Sequence, residues 1–209
     1  MGHAIDLATW KRREHYEHFR GYCQPFFSVC VNMDATRLWR LSRPAGGTPF
    51  FLSSLFLMLR AANATEAFRL RLRKRGVWRH DRVAVGPTLL RNDHTFAFAR
   101  IEWSTSLKRF IASGTRAIAE SAAREALDPN PGDDDIVYHS SLPWLKFTAF
   151  TNAIDAGDSI PRIVFGKCAR EGRRYLMPMS VEVHHAVVDG LDVARFTERF
   201  QDELAEFRG

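Results

Sequence analysis

SVEVHHAVVDGLDVARF (residues 180–196) reads as a strand joined to a helix through a polar turn. Val181 and Val183 alternate onto one face of the strand, and two histidines follow at its end. Asp189 and Gly190 then turn the chain, glycine allowing a backbone geometry that a larger side chain resists. From about Leu191 to Phe207 the residues Val193, Phe196, Phe200 and Leu204 recur at helical spacing.

The spacing His185-x-x-x-Asp189-Gly190 carries the strongest chemical signal. An unperturbed imidazole titrates near pH 6.5, so a proton-accepting form is abundant at neutral pH. Such a base lets an alcohol attack a thioester without first becoming a free alkoxide. Asp189 is placed to fix either the turn or the ring. From the dyad alone, two satisfied polar residues at a strand end are the plainer reading. A metal site fits poorly, because adjacent strand residues point to opposite faces and one ion cannot easily take both histidines. A serine hydrolase would need a G-x-S-x-G elbow, which the sequence lacks.

Outward from this segment, residues 11–20 carry a helical charge pattern with Trp10, Tyr16 and Phe19 as apolar partners. FFSVCVNMD (26–34) reads as a strand closed by Asp34 as helix cap, followed by helical periodicity over 35–43. RPAGGT (43–48) breaks the chain, and a helix from Thr48-Pro49, apolar nearly all round, is expected to be deeply buried. FRLRLR, VWRHDRVAV and TFAFARIEW fit strands, with breaks at Gly76 and at Gly86-Pro87. An amphipathic helix over 106–127 ends in the loop DPNPGDDD, and strands are expected over 136–140, 162–168 and 175–184. Strands and helices mix without regular βαβ alternation. The expectation is therefore one α+β domain over residues 1–209, a mixed and largely antiparallel sheet packed with helices.

Composition narrows the classes. Apolar residues make up 45% of the 209 and charged residues 26%, an ordinary globular balance. No window approaches the ~18 apolar residues of a membrane span, and the N-terminus lacks an apolar signal region, so a soluble cytoplasmic protein is expected. Cys23, Cys30 and Cys168 are odd in number without C-x-x-C spacing. That argues against a disulfide framework or zinc ribbon, and buried, inert thiols are expected at Cys23 and Cys30. The net charge of +6 suits an anionic partner. It concentrates in Arg69, Arg71, Arg73, Lys74, Arg75, Arg79 and Arg82, read as the solvated outer face of a strand pair. No nucleic-acid motif accompanies it, so neither nucleic acid nor membrane is expected as a partner.

HHAVVDG followed by a helix with VARF resembles the chloramphenicol acetyltransferases. Three more segments resemble that family in order: WKRREHYEHF (10–19), SSLPWLKFTAF (140–150) and FGKCAREGRRYLMPMSVEVHH (165–185). H-x-x-x-D-G alone is shared by several CoA-dependent acyltransferases, whereas four collinear motifs cover nearly the whole chain. The resemblance implies a homotrimer with sites between subunits and no permanently bound cofactor or metal. Acetyl-CoA would be co-substrate to a small hydroxylated acceptor, chloramphenicol or a relative. It implies His185 as general base, Ser140 as oxyanion donor, and an Asp189–Arg12 ion pair that orders the site. It further implies Phe19, Cys23, Phe96 and Asn152 on the acceptor side, and Lys167 and Thr48 near coenzyme A.

The departures fall mostly on the acceptor side. Phe19 stands where classical members have a tyrosine, Asn152 where they have a leucine, and Val164 where they have a small polar residue. Gly46 and Gly47 replace a lysine of some relatives, and Thr48 a tyrosine. An amide in an apolar pocket must find a partner or lose stability, so Asn152 implies a polar acceptor group or a differently shaped pocket. The competing readings are a dihydrolipoamide acyltransferase core, here without its Ala/Pro-rich linkers, a binding homologue without turnover, and a nucleic-acid module resting on the basic strand alone.

Overall fold

In the computed structural model, which describes residues 1–42, 48–127, 134–155 and 157–209, two sheets share one main core. The elements run β1 (Gly2–Ala4), α1 (Arg13–Phe19), β2 (Phe26–Asp34), α2 (Thr36–Leu41), α3 (Phe50–Ala64), β3 (Leu70–Arg73), β4 (Gly76–His80), β5 (Ala84–Leu90), β6 (Phe96–Phe98), α4 (Leu107–Ala123), β7 (Ile136–Leu142), β8 (Arg162–Gly166), β9 (Ala169–Glu171), β10 (Arg174–His184) and α5 (Gly190–Glu206). A short 3-10 turn, Glu66–Arg69, leads into β3. The breaker residues 43–47 and most of the loop at 128–133 lie outside the described residues.

The larger sheet has the order β2-β10-β8-β7-β5-β6, with β9 folding back on β10. Its β5–β7 and β7–β8 pairs are parallel and the other pairs antiparallel, which is the mixed, mainly antiparallel arrangement expected. The smaller sheet, β1-β4-β3, is antiparallel throughout. Strand β10 is the spine. It pairs β2 over nine residues from Leu176 to His184 and β8 from Met179 to Glu182. Alternation sends Met179, Val181 and Val183 into the core under the helices, and Ser180, Glu182 and His184 to the opposite face.

Helix α3 buries 11 of its 15 residues, as its all-round apolar sequence demands. Helix α4 is capped by Ser106, whose side chain accepts the Arg109 amide. Asp34 ends its strand and accepts the Thr36 amide, so it serves the start of α2 from one position further back than a formal cap.

Three expectations need correction. VWRHDRVAV is two strands in two sheets, β4 and β5, separated at Asp81–Val83. Gly86 and Pro87 do not break the chain but lie inside β5, paired in parallel register with Tyr138 and His139. Pro87 still serves the sheet with its carbonyl, which accepts the Ala99 amide. The basic strand is a solvated face only in part, because Arg71 leaves it. Arg71 is fully buried, and its guanidinium donates to the carbonyls of Phe68 (3.0 Å), Leu70 (2.6 Å), Asp134 (2.5 Å) and Ile136 (2.5 Å). Burial lowers its pKa to about 10, so it stays cationic at neutral pH. Arg73 pairs with Asp134 and Arg79 with Glu66 at the surface, so part of the apparent patch is neutralised there.

Arg71 thus ties the smaller sheet to the start of β7. Removing a group that satisfies several buried carbonyls should cost about 3–5 kcal/mol. Arg71→Met is expected to lower the urea midpoint accordingly, and an unchanged midpoint would show that the carbonyls find other partners.

Candidate active site

The histidine turn is built from backbone bonds first. The His185 amide donates to the Pro25 carbonyl at 2.8 Å, tying the end of β10 to the entry of β2. The amides of Val187 and Val188 both return to the His184 carbonyl, and Nδ1 of His184 accepts the Ala186 amide at 3.2 Å. Asp189 closes the turn as the cap of α5. It accepts the amides of Leu191 and Asp192, while Asp192 accepts the Asp189 amide in return.

Arg12, just before α1, joins this turn from the other end of the chain. Its guanidinium pairs with the Asp189 carboxylate, reaches the His185 carbonyl at 3.5 Å and lies 3.8 Å from Asp192. Burial pushes the Asp189 carboxyl up, but the Arg12 hydrogen bond and the helix amides outweigh it and hold the pKa below the usual value. Asp192, mainly through burial, is shifted up.

The His185 ring is held by stacking. Phe19 lies parallel to it with centroids 4.1 Å apart and planes 5° apart, and Phe27 flanks it at 4.8 Å. Nδ1 is buried without a hydrogen-bond partner among the described residues, so Nε2 is the nitrogen left to meet a ligand.

His184 is different. It lies on the opposite face, buried, edge-on to Phe26, and burial lowers its pKa to about 4.

Ser140 lies elsewhere. On β7 it opens, with Tyr138, into a cavity of ≈ 320 Å³ also lined by Thr88, Asn152, Asp155 and Asp158. Its hydroxyl donates to Thr88 at 3.2 Å. Ser141, pointing the other way, lines an apolar groove of ≈ 410 Å³ with Trp39, Phe50, Phe51, Lys167 and Cys168. Gly166 shapes that groove, since a Cβ there would sit 2.9 Å from both the Leu145 carbonyl and the Phe147 ring. Burial pushes the Cys168 thiol up to about 11, which leaves it a poor nucleophile.

The register separates the two clusters. Ser140 pairs with Val164 and Val164 with Ser180, so His185, just past the end of β10, is five residues further along and two strands across. At strand spacings this is about 16 Å along and about 10 Å sideways. One chain therefore cannot bring its own His185 and Ser140 to a single small acceptor.

Arg12, Asp189, His185 and Phe19 thus form one cluster, Ser140 and Asn152 another, and Lys167 lines the groove. Thr48, at the mouth of α3, has a buried hydroxyl without a partner among the described residues. Phe96 is 47% exposed on β6 and reaches the cavity only through Phe98, on which it packs edge-on. Cys23 is exposed in the turn after α1, and Cys30 half-buried, which corrects the expectation of two buried thiols.

Several groups carried no sequence signal. Glu182 accepts both the backbone amide (2.8 Å) and the side-chain amide (2.5 Å) of Asn152. His139, buried between Phe165 and Phe51, contacts the Ser141 hydroxyl at 3.0 Å, and burial lowers its pKa to about 3.

The family model described as chloramphenicol acetyltransferase matches residues 2–201. The chain belongs to the chloramphenicol acetyltransferase family. Within the family, chloramphenicol acetyltransferase 2 of Escherichia coli is 32% identical over 201 residues, 94% of each chain. Chloramphenicol acetyltransferase of Proteus mirabilis is 28% identical, covering 97% of this chain and 94% of that one. A solved chloramphenicol acetyltransferase superposes with a TM-score of 0.88 at 26% identity, over 98% of this chain and 100% of that one. The dihydrolipoamide acetyltransferase of Azotobacter vinelandii, at 21% identity and a TM-score of 0.70 over 92% and 86%, shares the fold. No helix among the described residues is long and apolar enough to cross a membrane.

His139 and His184 give the fold a pH dependence. Both bind a proton less readily folded than unfolded, from 6.5 to about 3 and about 4. Below about pH 6.5 the unfolded chain therefore takes up more protons, and stability falls as pH drops towards 4. Between pH 8 and pH 5 each ring should cost about 2 kcal/mol. Urea midpoints at the two pH values, at fixed protein concentration, check this. His139→Leu should remove about half the difference, and an unaltered difference would assign the acid sensitivity elsewhere.

Proposed function

We propose that this protein transfers the acetyl group of acetyl-CoA to the hydroxyl of a small acceptor, chloramphenicol being the first to test, at a site shared between two subunits of a homotrimer. The observation that carries the reading is the His185 turn, in which Arg12, Asp189 and Phe19 fix one imidazole with a single nitrogen available. Nε2 of His185 takes the hydroxyl proton as that oxygen attacks the thioester carbonyl. The new C–O bond forms a tetrahedral oxyanion, and the C–S bond breaks as it collapses. His185 returns its proton to the leaving thiolate, so the ring ends neutral. Ser140 donates to the oxyanion, a task for a preorganised hydroxyl and not for a nucleophile.

The distance between Ser140 and His185 within one chain supports a site that takes the base from one subunit and the oxyanion donor from the next. Cyclic trimers use such heterologous, closing interfaces. On the base side Phe19 stacks on the ring and exposed Cys23 follows it. On the oxyanion side lie Asn152 and, beyond Phe98, Phe96. The apolar groove behind Ser141 suits the pantetheine arm of the donor. There Lys167 would draw coenzyme A phosphate, and the unpartnered Thr48 hydroxyl would supply a hydrogen bond. The Arg12–Asp189 pair orders the turn and takes no part in proton transfer.

Thiol release from acetyl-CoA tests the chemistry. With a hydroxylated acceptor, His185→Ala should lose about 10²–10⁴-fold in kcat, and Ser140→Ala about 10²–10³-fold. A shared site adds a sharper expectation. Co-refolding equal amounts of the two inactive variants should restore about a quarter of wild-type turnover, because that share of interfaces pairs an intact His185 with an intact Ser140. No recovery, or a monomer by sedimentation, would rule out the shared site. Silence with every acceptor would favour a binding protein without turnover.

A further inference from the structure

The wall of the Ser140 cavity is polar in one particular sense, and Glu182 is the reason. This residue is 5% exposed, on the face of β10 turned away from the helices. Among the described residues no lysine or arginine pairs with it. Its cross-strand neighbour Arg162 turns instead to Asp158 and to the Ile160 carbonyl, and lies over the Tyr138 and Phe26 rings. Among the described residues the Glu182 carboxylate is met only by Asn152, through its backbone N–H and its side-chain NH₂.

A carboxylate can only accept, so the Asn152 NH₂ faces Glu182 and Oδ1 faces away from it. That oxygen has no partner among the described residues, and Asn152 lines the cavity. Beside it stand Asp155, whose Oδ1 already takes the Gly157 amide, and Asp158, committed to Arg162 and the Ile160 amide. The Ser140 and Thr88 hydroxyls bond each other. The Arg162 guanidinium also lines the cavity but is turned to Asp158 and the Ile160 carbonyl, so beside the hydroxyls the Asn152 oxygen and the Asp155 carboxylate are the acceptors this wall offers. Among the described residues neither Asp155, on the wall, nor Glu182, buried behind Asn152, has a cationic partner, so the local charge is negative.

We propose that Glu182 locks Asn152 so that the cavity selects acceptors carrying a hydrogen-bond donor, a hydroxyl or an ammonium group, within one small-molecule length of the acetylated hydroxyl. Asn152 is a specificity-determining residue and Glu182 its positioning residue. An apolar group against Asn152 leaves a desolvated oxygen unpaired, and a carboxylate or nitro group meets like polarity. An ammonium gains further from the negative wall. The inference rests on the acetyltransferase reading, since it concerns the acceptor of that reaction.

The test compares matched primary alcohols in which one remote hydroxyl or amine is replaced by methyl, each assayed by thiol release and by calorimetric binding to the intact protein. Wild type should favour the donor-bearing member by about tenfold or more in kcat/KM. Asn152→Leu should abolish or invert that preference and raise turnover of the methyl-bearing member. Glu182→Gln keeps an acceptor for the Asn152 amide, so it should retain the hydroxyl preference while losing the extra selectivity for ammonium. If Asn152→Leu unfolds because it strands the Glu182 carboxylate, the pair Asn152→Leu/Glu182→Leu carries the same readout. A wild-type preference for the methyl-bearing alcohols, or a preference unchanged by Asn152→Leu, would overturn the proposal. Preferential binding without thiol release from any acceptor would instead remove the acetyltransferase reading and leave the selectivity standing.

Discussion

The Asp189 carboxylate accepts two amides of α5 and the guanidinium of Arg12, and the rest of the site depends on this convergence. The helix amides would satisfy one oxygen in any well-capped helix. The addition of Arg12 brings residue 12 to residue 189 and with it Phe19, about two turns further along α1. Phe19 then covers the His185 ring face to face. A chain without the ion pair would keep the cap and lose the stack. Because the carboxyl is held below its usual pKa despite burial, the pair persists through the neutral range.

The second constraint is the two-sidedness of a strand. On β7, Ser140 opens to the polar cavity and Ser141 to the apolar groove, so one backbone separates the two by the thickness of a sheet. On β10 the same alternation sends Val183 into the core and Glu182 to the cavity side. Neither strand brings Ser140 to its own His185.

How much was legible in the sequence depended on whether local pattern and tertiary role coincided. Residues 180–196 combine a period-2 strand, a polar turn and a 3.6-period helix, and the structure keeps all three. Helix α3 was equally plain, since a segment apolar on every side has nowhere to go but inside. Arg71 was misread because alternation with leucines implies an exposed row, whereas burial was decided by four carbonyls, two of them, Asp134 and Ile136, contributed from distant chain. Gly86-Pro87 looked like a breaker, but Pro87 can occupy β5 because its carbonyl still bonds the Ala99 amide. The separation of β4 from β5 was invisible, since three polar-to-apolar residues at 81–83 carry no turn signature. Asn152 was flagged as needing a partner, but that partner, thirty residues away on β10, emerged only from the pairing of the strands.

Three histidines near the site show why residue type alone does not find a base. His139 touches a serine hydroxyl at 3.0 Å, the geometry of a nucleophile and its activator. Yet burial takes its pKa to about 3, and a ring that protonates so reluctantly withdraws no proton from a serine at neutral pH. It is a hydrogen-bonded neutral side chain that fixes Ser141 on the groove. His184 is displaced to about 4 by burial and spends Nδ1 on the Ala186 amide, so it shapes the turn. His185 alone is partly exposed, stacked and left with an available nitrogen. The adjacent pair His184-His185 is thus divided by the strand's alternation into a ring that shapes the turn and a ring left with an available nitrogen.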